Sequence, residues 1–308
     1  MVSIIILNYN GRRFLEGCLE SVLRQSYSDF EIIFFDNAST DGSVEYVKKT
    51  FTDSRIRIVE SAENLGFAGG NNEALKHAGN DMIVLLNNDT IVADDWLWNL
   101  IKAMEQHNTI ASSFVKTDGV KDRYYESNGS VSFLMYNVMN VFDSIEDEFY
   151  PNGCSVIFRK SEIGEPFDSD YFYYGEDVYL GLKARFMGMK VKFVKDSLVK
   201  HFGGGSAEAS SRKSFFQSRN QLLNLYTFFS SGFIFKLLPI VIFIRLARTF
   251  AAIFTPGQSF KGTFVVPFWF MGNPRIIKTK AMANSAFKKV PEEDVIKYMT
   301  SKLVNRAG

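Results

Sequence analysis

Cysteine is nearly absent: Cys18 and Cys154 are the two in 308 residues. So few thiols support neither a disulfide framework nor a zinc cluster, and Cys18, in an apparent helix, reads as core. No basic-then-apolar leader precedes the first strand, because Val2–Leu7 is too short and runs straight into the fold. A cytoplasmic compartment is expected. The chain also lacks an uncharged run of the roughly 20 residues a transmembrane helix needs. Its nearest candidates are Asn220–Phe235, Leu237–Ile244, Thr249–Phe260 and Gly262–Asn273, with Pro239 a further break. Gly66, Gly69 and Gly70 do not fit G-x-G-x-x-G, which argues against a nicotinamide-dependent oxidoreductase. No internal repeat or low-complexity segment is evident.

Acid is missing from a whole region. Residues 1–208 hold 20 Lys and Arg against 31 Asp and Glu, a net of −11, whereas residues 209–291 hold 12 cations and no acid. The overall charge of +1 hides this division, which points to two jobs in one chain. With 46% hydrophobic and 22% charged residues, the chain is globular and long enough for one large domain and an appendage.

The acidic part alternates strand and helix. Expected strands are Val2–Leu7, Glu31–Phe35, Arg55–Val59, Met82–Leu86, Ile110–Val115, Ser155–Arg159 and Val191–Val194. Expected helices are Arg12–Arg24, Asp41–Thr50, Ala68–His77 and Asp94–Gln106, with another ending near Met187. This predicts an α/β fold, a mostly parallel sheet flanked by helices. Residues 117–150 break the pattern and read as an irregular insertion near the substrate site.

Several strand ends carry chemistry. Asp89 follows the apolar run Met82–Leu86 through Asn87-Asn88. Ligands of open α/β sheets bind at such carboxyl ends, and a carboxylate there suits a divalent cation. An acid that merely starts the next helix is the plainer reading of Asp89 alone. Asp36 ends a second run, where it could accept hydrogen bonds from a uracil- or thymine-like edge, while Ser39 or Thr40 caps the following helix. The glycine-rich stretch Asn64-Leu65-Gly66-Phe67-Ala68-Gly69-Gly70-Asn71-Asn72 opens a helix whose amides suit phosphate. Glu176-Asp177 behind Tyr171-Phe172-Tyr173-Tyr174 reads either as helix-start acids or as a general base beside an aromatic wall. His201 precedes three glycines, where a mobile loop could close over an anion.

In this order the motifs resemble glycosyltransferase family 2, inverting sugar-nucleotide transferases of GT-A fold. The matching pieces are Val2–Asn10, Asp36–Ser43, Asn64–Asn71, Asn87-Asn88-Asp89, Gly175-Glu176-Asp177 and His201, roughly residues 1–210. The likeness is greatest to the rhamnosyl- and galactofuranosyltransferase branch. It implies a GT-A catalytic domain over 1–210 and a basic, hydrophobic helical appendage over 211–308. It further implies that Asn8, Tyr9, Asp36, Gly66, Gly70, Asn71 and Asn88 hold the nucleotide sugar. Asp89, the end of the D-x-D motif, and His201 would bind Mn²⁺ or Mg²⁺, and Asp177 would be the catalytic base. Glu176, Gly153 and Cys154 would face the acceptor. Two departures stand out: D-x-D appears as Asn87-Asn88-Asp89, and Tyr179 replaces an acid common two places after the base. The Q-x-x-R-W motif of processive synthases is missing, so one sugar per encounter is expected.

The expected reaction moves a sugar from a UDP- or dTDP-sugar to a glycan or lipid-linked acceptor. One carboxylate deprotonates the acceptor, and a cation steadies the departing diphosphate. Basic helices with bulky apolar faces lie in membrane interfaces, so the appendage is expected on the cytoplasmic face of a membrane. A span through the bilayer and a bundle packed on the catalytic domain or on a second subunit are the alternatives, the last allowing a homo-oligomer. The tail is too hydrophobic to favour nucleic acid. A non-catalytic sugar-nucleotide-binding subunit of a glycan-assembly complex is the competing function.

Overall fold

The computed structural model describes residues 1–117, 130–133, 135, 137–138, 149–203, 211–251, 253–254 and 259–299. Most of the segment read as an insertion lies outside them, including Gly119, Asn128-Gly129 and Glu146-Asp147-Glu148. Strand β1 (Val2–Asn8) leads to α1 (Arg12–Leu23), β2 (Phe30–Asp36), α2 (Ser43–Thr50), β3 (Ile56–Glu60), α3 (Gly66–Leu75) and β4 (Met82–Asn87). There follow β5 (Thr90–Val92), α4 (Trp96–Ala103), β6 (Thr109–Thr117) and the antiparallel pair β7 (Ser130–Val131) and β8 (Asn137–Val138). Then come β9 (Ser155–Arg159), α5 (Lys160–Ile163), α6 (Glu176–Phe186) and β10 (Lys190–His201).

Eight strands form one sheet in the order β3-β2-β1-β4-β9-β6-β10-β5. Strands β1 to β4 are parallel, β9 runs antiparallel between β4 and β6, β10 is parallel to β6, and β5 is antiparallel to β10. The chain winds outward through β2 and β3, then returns to the other side of β1 as β4. That reversal is a topological switch point, the place where such sheets bind ligands. Leu86 pairs with Ser155 and Thr117 with His201, so the ends of β4, β6 and β10 and the start of β9 share this edge.

The sheet is apolar on both faces because helices cover both. In β1, Ile5 enters one core while Ile4 and Ile6 enter the other, as a period of two requires. Helix α1 closes the second core with Leu15, Cys18, Leu19 and Val22 at helical spacing. Most expected elements recur within a residue or two. Strand β10 is longer than expected: after an irregularity between Val194 and Leu198 its pairing with β6 resumes and reaches His201. The polar interruption Lys195-Asp196-Ser197 conceals that continuation in sequence.

The C-terminal helices are α7 (Ser211–Phe228), α8 (Ser231–Ala251), α9 (Phe260–Phe264), α10 (Val266–Gly272), α11 (Pro274–Ser285) and α12 (Glu292–Ile296). The boundary expected at residue 210 falls inside one hydrophobic core: Leu222, Leu223, Leu225 and Phe228 of α7 pack with Tyr171, Leu180 and Phe186. Helix α8 differs, since Val241 is its one buried residue. No described helix is long and apolar enough to cross a membrane.

Candidate active site

Asn8 ties the strand ends together. Its Nδ2 donates to Asp36 Oδ1 (2.9 Å) and Ser39 Oγ (3.0 Å), and its Oδ1 accepts from Asn88 Nδ2 (2.7 Å). Its backbone carbonyl accepts from Asn37 N (2.8 Å). The turn below leaves room for nothing larger than glycine: a Cβ on Gly11 would lie 2.0 Å from Asn88 Nδ2. Asp36 is buried, and its Oδ2 takes the Ser39 amide (2.8 Å). Each of its oxygens keeps a second lone pair for a ligand. Ser39 does not cap α2 as expected. Gly42, with φ 78°, is the N-cap, and the Ser43 amide is held by Asp41 (3.1 Å). Tyr9 stands half-exposed at the tip of β1.

Asp89 occupies the turn between β4 and β5, and its carbonyl accepts from Phe202 N (2.9 Å). Its Oδ1 lies 3.2 Å from His201 Nε2. Two residues remote in sequence thus meet at the switch-point edge. His201 is the last residue of β10 rather than part of a loop, because its backbone pairs with Thr90 and Thr117. Thr117 Oγ1 lies 3.3 Å from His201 Nδ1. A proton on Nδ1 shared with that hydroxyl leaves the Nε2 lone pair beside the carboxylate, the orientation a metal-binding histidine needs. One carboxylate and one imidazole could together hold a divalent cation. Among the described residues, no three His, Cys, Asp or Glu side chains gather to complete such a shell.

The glycine-rich stretch behaves otherwise than expected. Leu65 N bonds Asn37 Oδ1 (2.9 Å), Gly66 N bonds Asn64 Oδ1 (2.8 Å), and Phe67 N and Ala68 N both reach the Phe172 carbonyl (2.5 and 3.2 Å). The opening amides of α3 are therefore engaged within the chain and do not form a free phosphate cradle. Gly66 (φ 74°) and Gly70 permit close packing instead, against Phe172 and Leu7 respectively. Asn71 is buried and donates to the Phe67 carbonyl (2.9 Å).

Gly175, at φ 82°, turns the chain into α6, whose first residues are Glu176 and Asp177. A Cβ on Gly153 would lie 3.6 Å from Asp177 Cβ, and the adjacent Cys154 carbonyl accepts from Asn87 N (2.9 Å). The 153–154 turn thus bridges Asp177 to the strand end that carries Asp89. The Cys154 side chain is not an acceptor contact: it is buried in the core with Leu86 and Val92. Glu176, also expected at the acceptor, has an enclosed carboxyl whose Oε2 has no hydrogen-bond partner among the described residues. Burial, and then the negative charge of Asp177, raise its pKa from 4.5 to about 8. Burial therefore favours the protonated form of this carboxyl. Sequence reasoning missed Thr117 and Gly11. Thr117 depends on the β6–β10 register and leaves no local signal, whereas Gly11, just beyond an apolar strand, was a findable turn glycine.

Residues 3–164, just over half of the chain, match the family model for glycosyl transferase family 2. The chain belongs to that family. It is 25% identical over 214 residues to glycosyltransferase GlyA of Streptococcus pneumoniae serotype 4, covering 64% of this chain and 30% of GlyA. It is 33% identical over 102 residues to the Escherichia coli UDP-Glc:alpha-D-GlcNAc-diphosphoundecaprenol beta-1,3-glucosyltransferase WfgD, covering 33% and 38%. The chain thus spans well under half the length of each of these two relatives. Among solved structures, GalNAc-T7 with UDP, GalNAc and Mn²⁺ superposes with a TM-score of 0.64 at 16% identity, over 91% of this chain and 57% of that one. Mannosyltransferase PcManGT of Pyrobaculum calidifontis, in complex with GDP-Man and Mn²⁺, gives 0.54 at 20% identity, over 94% and 81%. The fold is GT-A.

The raised pKa of Glu176 has a stability consequence. The folded state holds this proton more tightly than the unfolded chain, so its contribution is present below about pH 4.5 and is lost as pH rises toward about 8. Glu176→Gln should remove that slope. Thermal unfolding at pH 5 and pH 8.5 should show the variant gaining on wild type at the higher pH, and an unchanged difference would place the carboxyl in water.

Proposed function

We propose that this protein is an inverting glycosyltransferase that moves one sugar from a nucleoside-diphosphate sugar, UDP- or dTDP-linked, to an acceptor hydroxyl. The observation that carries the proposal is the Asp89–His201 pair (3.2 Å) at the switch point, bridged through residues 153–154 to Asp177. Asp177 takes the acceptor proton as the acceptor oxygen bonds to the anomeric carbon. The bond from that carbon to the diphosphate breaks in the same displacement, inverting the centre. Asp89 and His201 would hold Mn²⁺ or Mg²⁺, the imidazole favouring Mn²⁺, and the bound ion would supply positive charge facing the leaving diphosphate. Asn8, Tyr9, Asp36 and Asn88 line the adjoining strand tips on the nucleotide side.

The acceptor we propose is lipid-linked, used at the cytoplasmic face of a membrane where the protein sits peripherally or monotopically. Phe235, Phe243, Leu246, Phe250, Phe254 and Phe268 of the α8–α10 region are exposed, beside exposed Lys236, Arg248, Lys261, Arg275 and Lys278. Scattered apolar residues need no explanation, but a concentration of large ones marks an interaction surface. Cations among them favour anionic lipid, at about 1 kcal/mol for each one close to the surface. The polyprenyl diphosphate acceptor in the name of WfgD agrees with this reading.

Two measurements test these statements. Asp177→Asn should lower transfer by about 10²–10⁴-fold while nucleotide binding is kept, and near-normal turnover would remove Asp177 as the base. Full-length protein should sediment with phosphatidylglycerol vesicles more than with phosphatidylcholine vesicles. The triple variant Phe235→Ser, Phe243→Ser, Leu246→Ser should lose most of that binding, and equal sedimentation would exclude the face as a membrane contact.

A further inference from the structure

The peptide that delivers Asp177 is held by a helix outside the region matched to the family. Phe172, Tyr174 and Gly175 have φ values of 61°, 68° and 82°, a left-handed path that bulky side chains rarely take. Such a path persists where its surroundings over-determine it. Here they do so carbonyl by carbonyl. Arg219 Nη2 donates to the carbonyl of Asp170 (2.5 Å). Asn220 Nδ2 shares its two hydrogens among the carbonyls of Tyr171 (2.9 Å), Tyr174 (2.6 Å) and, at longer range, Tyr173 (3.2 Å), and Asn224 Nδ2 donates to that of Gly175 (3.1 Å). The remaining carbonyl, Phe172, receives the first amides of α3.

The three side chains belong to α7, where 220 and 224 are one turn apart on the same face. They are also fixed themselves. Asn220 Oδ1 accepts from Arg219 Nε (2.9 Å), and Asn224 Oδ1 accepts from Tyr171 Oη (2.7 Å). Asn220 and Asn224 are buried. A buried network in which several carbonyls converge on two fixed amide groups favours one geometry.

We propose that Asn220 and Asn224, steadied by Arg219, are positioning residues for the catalytic carboxylate: α7 sets where Asp177 stands relative to the strand-end site. This rests on the reading of Asp177 as the base. It gives the C-terminal region a role in the chemistry separate from any contact with a membrane.

The test compares Asn220→Ala and Asn224→Asp with Thr227→Val. Thr227 is also buried on α7 but bonds Asn284 and the Leu223 carbonyl; Asn284 in turn bonds the Tyr179 hydroxyl within α6, so the control leaves the 170–175 carbonyls untouched. Asn224→Asp keeps the acceptor for Tyr171 and replaces the donor to Gly175 with a carboxyl oxygen, so it carries the test if Asn220→Ala does not fold. Amide hydrogen exchange in 170–176 should rise in both asparagine variants and stay at the wild-type level in Thr227→Val. Turnover is followed as released nucleoside diphosphate, with UDP-glucose, UDP-galactose and dTDP-rhamnose as donor probes. For a probe that wild type consumes, kcat should fall about 10- to 100-fold, the size expected of a misplaced catalytic group, with donor KM within about twofold. Asn220→Ala added to Asp177→Asn should cost little more. Unchanged exchange in the loop overturns the proposal, as does full kcat in a variant whose loop exchange has risen. Full turnover of Asp177→Asn alone would instead refute the assignment of the base.

Discussion

The hydrogen bonds of Asn8 are the constraint on which the site depends. One side chain receives Asn88 from β4 and donates to Asp36 on β2, while its own strand lies between them. Because the amide of Asn8 is buried, losing any of these partners would leave a polar atom without solvent to replace it. Gly11 completes the joint by leaving space where a methyl group would collide with Asn88. The turn that carries Asp89 therefore starts from a fixed point, and β10 approaches it from the far side through the Phe202–Asp89 backbone bond. Donor-side chemistry gathers at the switch point because three strand tips cannot move independently there.

The acceptor side is built differently. Asp177 begins a helix, and the path to it runs through left-handed residues that no strand pairing supports. Its order comes from side chains on α7 and from α3, whose first amides share the Phe172 carbonyl. Glu176 beside it has a buried carboxyl whose pKa is raised first by that burial and then by Asp177. Asp89 and His201 thus stand on a paired sheet edge, whereas Asp177 follows a loop held by side chains of α7.

Local pattern made part of this visible. Apolar runs located β1, β2, β4 and β9 almost to the residue, and the acid after β4 stands, as read, at the carboxyl end of its strand. What escaped depends on contacts between distant segments. Nothing near Gly66 tells that Phe172 will occupy its helix amides, so the stretch resembled a phosphate cradle. Nothing near His201 tells that Thr117 will extend its strand. Helix α7 was misjudged because composition groups it with the basic, aromatic tail, whereas its leucines belong to the central core. Charge divides the chain near residue 208, but packing does not: the core that holds α7 also takes in Val241, Val266 and Val295.

The central claim is that Asp89, His201 and Asp177 face one diphosphate pocket. Crystals grown with Mn²⁺ and UDP or dTDP, measured at a wavelength where manganese scatters anomalously, test it most directly. A manganese peak within coordination distance of both Asp89 Oδ1 and His201 Nε2, with the diphosphate on the ion and Asp177 across the same cavity, is the expected result. Manganese bound elsewhere, or a nucleotide seated away from the ends of β1 and β4, would contradict it.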